Sequence, residues 1–303
     1  MSDFVVLLLG STLASAAPLI LAGLGEMFLE RSGGGFNLGI EGILLCGALA
    51  GVLGSYAGGP GLGLTAGAVA GLMWGAIFAI SAAIGIDTVL IGIAITIGGT
   101  GISTFFSQVV APSGQRNITA PLLPAFPVPG LAELPVLGQP LGAVSAGVWL
   151  SVAVAGLSAW VLRRTRYGLR LRAAAEASTA VVKGIDVGRY RASAAMIAGA
   201  LTGSAGAVLA IGSIGTFTPL MSGGRGFLVL AVVIIGGRKP AGVVAGAVLF
   251  ACLDGLALMA QTRDLGLPSE AYHCFPYVAA LAVLCGRARW HTVRPVTGAI
   301  RRT

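Results

Sequence analysis

Charge is what this 303-residue sequence has least of. Its 19 basic and 11 acidic side chains make up 10% of the residues, against about 25% in a soluble domain. Such a chain cannot clothe a soluble core in charge. Histidine occurs twice and cysteine four times. Cys46, Cys252, Cys274 and Cys285 stand in apolar stretches, without the spacing of a metal site, and read as small buried hydrophobes. Glycine has no period of three, which excludes collagen. The poverty in apolar side chains that marks a disordered chain is missing too. Hydrophobic residues are 56% of the total, and the mean hydropathy is +0.92. What remains is an all-α integral membrane protein, a polytopic transmembrane helical bundle.

The charges present are unevenly placed. Eight basic groups fall between Arg163 and Arg191, and five more follow Leu284. No aromatic interleaving accompanies either cluster, so the net charge of +8 does not point to nucleic acid. Basic groups beside apolar spans mark the cytoplasmic side.

A span needs about 20 mostly apolar residues. Stretches near 4–25, 38–57, 62–84, 88–110, 141–162, 192–212, 226–237, 240–260 and 271–286 fit, giving about nine spans within a range of eight to ten. The run from Phe4 to Leu24 has no basic region before it and reads as a first span, not a signal peptide. Glu26, Glu30 and Arg31 read as a polar patch after that span. The 226–237 stretch is short and follows a Gly-rich run, Gly223-Gly224-Arg225-Gly226, so a broken or re-entrant element is expected there. The whole chain, 1–303, reads as one transmembrane domain. Residues 111–140 carry seven prolines and read as an extracytoplasmic loop. Residues 163–191 read as a cytoplasmic segment, with a short amphipathic helix over Leu171–Val182, and 287–303 as a basic cytoplasmic tail. Counting spans outwards from 163–191 also puts 26–36, Asp87 and Arg238-Lys239 inside. The N-terminus then lies outside and the C-terminus in the cytoplasm.

Catalytic constellations are missing as well. There is no Walker-type phosphate loop and no nucleophile elbow. No cofactor or metal is implied. Within the predicted spans only Glu41 and Asp254 are carboxylates. A charge at mid-membrane costs about 2.5–3.5 kcal/mol on insertion scales, so Glu41 needs a reason. It reads either as a structural carboxylate bonded to a neighbouring helix or broken backbone, or as part of a solute path with Asn37. Asp254 lies nearer a span end and reads as structural. The run Thr96-Ile97-Gly98-Gly99-Thr100-Gly101 weakens its helix midway, and exposed backbone there could meet a polar solute. Thr96, Gly98, Gly99 and Thr100 therefore join Asn37 and Glu41 as candidate path residues. The chain reads as a conduit without its own chemistry: a channel, a gradient-driven carrier, or the membrane part of a pump.

Three stretches resemble one family. Phe36-Asn37-Leu38-Gly39-Ile40-Glu41-Gly42-Ile43-Leu44-Leu45-Cys46-Gly47-Ala48 is similar to a signature of permease subunits of ABC importers, of the branched-chain amino acid and simple-sugar type. Thr165-Arg166-Tyr167-Gly168-Leu169-Arg170-Leu171-Arg172-Ala173 is similar to a second, followed by Glu176 and Gly184-Ile185. Gly224-Arg225-Gly226-Phe227 with Ala231–Arg238 is similar to a third. The nucleoside-transporting branch fits best. The sequence departs from the pattern at Ala174–Ser178, where the family commonly has Val-Gly-Glu-Asn-Pro.

The resemblance implies a membrane subunit that passes a small polar solute across the inner membrane. The solute would be a nucleoside or a related purine or sugar compound, with branched-chain amino acids as the alternative. Implied partners are two ATP-binding cassette subunits, a second homologous permease and an extracytoplasmic solute-binding protein, all around a lipid bilayer. ATP hydrolysis would belong to the partners, so the chain itself is not an enzyme. Residues 163–191 would couple to the ATPase through Arg172, Glu176, Lys183 and Gly184. A secondary transporter acting alone is the other class, and it would need Glu41 as its coupling carboxylate.

Overall fold

A computed structural model describes residues 2–110, 118–126 and 144–262, with Val278 alone beyond them. Ten helices and two short strands occur in the described residues. They are α1 (Ser2–Arg31), α2 (Ile40–Gly58), α3 (Pro60–Ala83), α4 (Thr88–Val110), β1 (Ala125–Phe126) and β2 (Val144–Ser145). Then follow α5 (Ala146–Arg164), α6 (Arg166–Ala173), α7 (Ala177–Val182), α8 (Val187–Ile211), α9 (Arg225–Ile235) and α10 (Pro240–Thr262). Seven of the helices are long and apolar enough to cross a membrane, and α9 is a shorter apolar helix. The expected ninth span at 271–286, the tail 287–303 and most of the loop 111–140 lie outside the described residues.

Helices α1, α2 and α8 form the buried centre, and α3 packs chiefly on α8 and α2. Glycine sets how close they come. α3 buries Gly63, Gly67, Gly71 and Gly75, one face of the helix at every fourth residue. A methyl group at Gly71 would collide with the Gly199 carbonyl of α8, and one at Gly203 with the Gly67 carbonyl of α3. The backbones therefore touch, and packing contact replaces the hydrophobic drive that lipid cannot supply.

The bundle has two distinct ends. At one, Glu30 pairs with Arg238 at 2.7 Å, and Arg191 donates to the Ser32 carbonyl at 3.3 Å. Gly33 lies against Ala175, and Gly35 against Thr88. This end thus gathers the 30–35 segment, the start of α4, the basic 163–191 stretch and Arg238. At the other end, Ser55 donates to the Pro121 carbonyl at 2.7 Å, and the Ala120 N–H donates to the Gly215 carbonyl at 2.7 Å. The described part of the Pro-rich loop thus closes over the ends of α2 and α8.

The structure corrects four sequence expectations. α1 does not stop near residue 25 but runs to Arg31, so Glu26 and Glu30 lie within it and are buried. Each has a partner that offsets part of its desolvation: the Asn37 N–H for Glu26 and Arg238 for Glu30. α2 starts at Ile40, not 38, so Glu41 stands in its first turn. The Thr96–Gly101 run is not broken but helical throughout α4. Inside a membrane no water competes for its backbone groups, so the helix persists despite its glycines. The helix expected over Leu171–Val182 is two pieces, α6 and α7, separated at 174–176.

The re-entrant expectation near residue 226 holds. α9 has 11 residues, about 16 Å long, or roughly half the hydrocarbon thickness. It leads to Arg238 at the basic end, and its start lies at mid-membrane beside the first turn of α2. Residues 212–224 therefore enter the membrane as coil from the opposite end. Gly224 makes the turn into α9 with φ 82°, a left-handed conformation open to glycine.

Candidate functional site

Glu41 ends up where that half-helix begins. Its Oε1 accepts hydrogen bonds from the Ser222 hydroxyl and from the Gly224 N–H, the latter at 3.0 Å. Its Oε2 accepts from the Gly226 N–H at 2.7 Å. A helix start leaves N–H groups without intrahelical partners, and its dipole favours a negative charge there. Glu41 supplies both needs from another helix. The side chain is buried, so the cap is sheltered from water.

The coil before α2 is built the same way. Glu26 accepts from the Asn37 N–H at 2.8 Å. The Asn37 side-chain oxygen accepts from the Gly39 N–H at 2.8 Å, a local turn of the kind asparagine favours. Thr96 of α4 donates to the Leu38 carbonyl at 2.7 Å. Gly99 lies against the Gly42 backbone, and Cys46 donates to the Gly99 carbonyl at 3.3 Å. The structure therefore brings Asn37, Glu41, Thr96 and Gly99 to one seam between α2 and α4. Gly98 and Thr100 are not on it. Gly98 has only Trp74 of α3 nearby, and the Thr100 carbonyl takes the Ser103 hydroxyl.

Asp254, read from the sequence as a structural carboxylate, has a partner that sequence reasoning missed. Arg225, the first residue of α9, pairs with Asp254 of α10 at 2.8 Å. Ser15 of α1 donates to the same carboxylate oxygen at 3.3 Å. Arg225 lay in plain view within the Gly-rich run, and a cation bordering a predicted half-span was the available signal.

At the basic end, Tyr167 of α6 hydrogen-bonds Ser193 of α8 at 2.9 Å, and Leu171 is buried. Burial pushes the Tyr167 phenol above its ordinary pKa, while the Ser193 hydrogen bond pulls it back. α6 is thus fastened to the bundle. α7 is held at Ala180, which is buried, but Val181 is 66% and Val182 88% exposed. Arg172, Glu176, Lys183 and Gly184 are all exposed around this apolar tip. Gly184, at φ 69°, turns the chain back towards α8. No group of three or more metal-ligating side chains occurs among the described residues.

Residues 8–284 match the family described as branched-chain amino acid transport system / permease component. The chain belongs to that family. It is 34% identical over 274 residues to a putative glucose ABC transporter permease protein of Haloferax volcanii, covering 89% of this chain and 82% of the relative. A nucleoside ABC transporter permease protein of Lactococcus lactis is 32% identical over 292 residues, covering 92% and 91%. A guanosine ABC transporter permease protein of Bacillus subtilis is 31% identical over 288 residues, covering 91% and 90%. No solved structure matches the chain. The chain is therefore a multi-pass membrane transport component.

Proposed function

We propose that this permease carries a nucleoside, or a related purine or sugar compound, inward across the cell membrane in an ATP-driven importer. The observation that carries the reading is the likeness, over about nine tenths of the chain, to permeases named for nucleoside, guanosine and glucose. The family description names branched-chain amino acids instead, which keeps leucine-like solutes as the second reading. The seam of Asn37, Glu41, Thr96 and Gly99 borders the path, with Gly98 and Thr100 on neighbouring faces of α4. An extracytoplasmic binding protein delivers the solute, and a second permease completes the conduit.

The ATP-binding subunit docks on α7. Large apolar side chains at the tip of a short helix are costly to leave in water, and a partner's groove would bury them. The basic flanks put this end in the cytoplasm. Arg172, Glu176, Lys183 and Gly184 frame that contact.

The test is uptake by the complete importer in liposomes. Radiolabelled guanosine and glucose are offered with ATP supplied on the coupling-segment side. ATP-dependent accumulation of either is expected. Accumulation driven by a proton gradient without the ATPase would overturn the reading, and transport of leucine alone would replace the solute class.

A further inference from the structure

The Arg225–Asp254 pair raises a separate question. It lies at mid-membrane, where ionised side chains face the bundle interior or a water-filled cavity. It is not sealed: Arg225 is 26% and Asp254 33% exposed. Both of the pair's recorded hydrogen bonds converge on Asp254 Oδ2, and no described residue donates to Oδ1. The carboxylate therefore keeps a free acceptor beside a partly exposed guanidinium that has donors to spare.

Pro18 lies inside α1 and has no N–H to give to the Ala14 carbonyl four residues earlier. The coil at 212–224 exposes Ser213, Thr218 and Gly223, together with Ile214 and Leu220. Backbone that is not helical at membrane depth must be buried in protein or line a wet cavity. Exposure of both the coil and the ion pair points to the second.

We propose that Arg225 and Asp254 form an intramembrane station that recognises two adjacent hydroxyl groups of the passing solute. One hydroxyl donates to Asp254 Oδ1 while its neighbour accepts from the Arg225 guanidinium. Fixed donor and acceptor side by side match a vicinal diol. Ribose and hexoses both present one, which accounts for sugar and nucleoside relatives within one permease type. A branched-chain amino acid offers no such pair. The inference thus rests on the proposed solute class and deepens it.

The experiment compares guanosine with 2′-deoxyguanosine in the reconstituted importer. Each is loaded at concentrations that saturate the binding protein, so that capture by that protein does not enter the rates. One hydrogen bond to a charged group is worth about 1.5–3 kcal/mol, so the ribonucleoside should move about tenfold faster or more. Asp254→Asn should collapse that ratio towards one. Because this variant leaves Arg225 without its counter-ion, the double variant Arg225→Gln/Asp254→Asn is measured beside it. It removes both charges, and it too should erase discrimination. A ratio unchanged in folded variants, or a wild-type complex that moves both nucleosides equally, overturns the diol station. If the wild-type complex moves no nucleoside or sugar at all, the proposed solute class falls instead.

Discussion

At the scale of single residues, the telling feature is how buried acidic side chains are used. Glu26, Glu30 and Glu41 are buried, and each accepts a hydrogen bond that holds non-helical chain or an element end in place. Glu41 does most, because it serves Ser222, Gly224 and Gly226 together. Glu41→Ala should strand those N–H groups at mid-membrane, at about 1–3 kcal/mol for each buried group. The purified variant should melt several degrees lower in detergent, whereas Glu41→Gln, which keeps an acceptor, should lose less. Equal melting temperatures for wild type and Glu41→Ala would show that the cap bears no weight. Glu41 was legible in the sequence, because an isolated acid in an apolar run demands a partner. Its partners were not, since Ser222 lies 181 residues away and nothing local specifies which helix end it meets. Glu26 and Glu30 were hidden for the opposite reason. Next to Arg31 and a Ser-Gly run they look like a polar loop, and only Asn37 and Arg238 reveal that they are buried.

At the scale of elements, glycine has two roles that composition alone cannot separate. The run before α9 breaks the helix, and this was legible because Gly223, Gly224 and Pro219 gather where the apolar stretch is short. The run in α4 does not break it. There Gly99 is small so that the Gly42 backbone can approach, and no water competes for the helical hydrogen bonds. The α3–α8 contact makes the packing role testable. Gly71→Val would drive two methyl groups into the Gly199 carbonyl. Overpacking costs about 1–3 kcal/mol in soluble cores, and here the neighbour is backbone, which cannot swing aside. The variant should be recovered mostly as aggregate in size-exclusion chromatography. Gly61→Val, at a position with nothing within 4 Å, should run like the wild type. Matching profiles for the two would sink the idea. The short element α7 carries a different test. Val182→Asp adds charge at an 88% exposed tip and should leave the fold intact. It should weaken co-purification of the ATP-binding subunit about thirtyfold, the scale of an interface hot spot. Undiminished co-purification would move the contact elsewhere.

At the scale of the whole molecule, the two ends of the bundle explain why so much topology could be read from charge. Placing 163–191 on one side predicted that the 26–36 segment, the α3–α4 connection and Arg238 share that side. The contacts of Glu30, Gly33, Gly35 and Arg191 bring those segments together at one end. Geometry alone does not say which compartment that end faces. The surplus of arginine is the ground on which we propose the cytoplasm, because cytoplasmic loops retain basic residues. Leu122, 49% exposed at the opposite end, and Val182 at the basic end are paired reporters for this. Each is changed to cysteine in a chain whose four native cysteines are replaced by serine. A membrane-impermeant maleimide applied to intact cells should label Leu122→Cys and spare Val182→Cys. After the membrane is opened, both should react. Labelling of Val182→Cys in intact cells would invert the orientation, and with it the docking of an ATPase on α7, because ATP is on the cytoplasmic side.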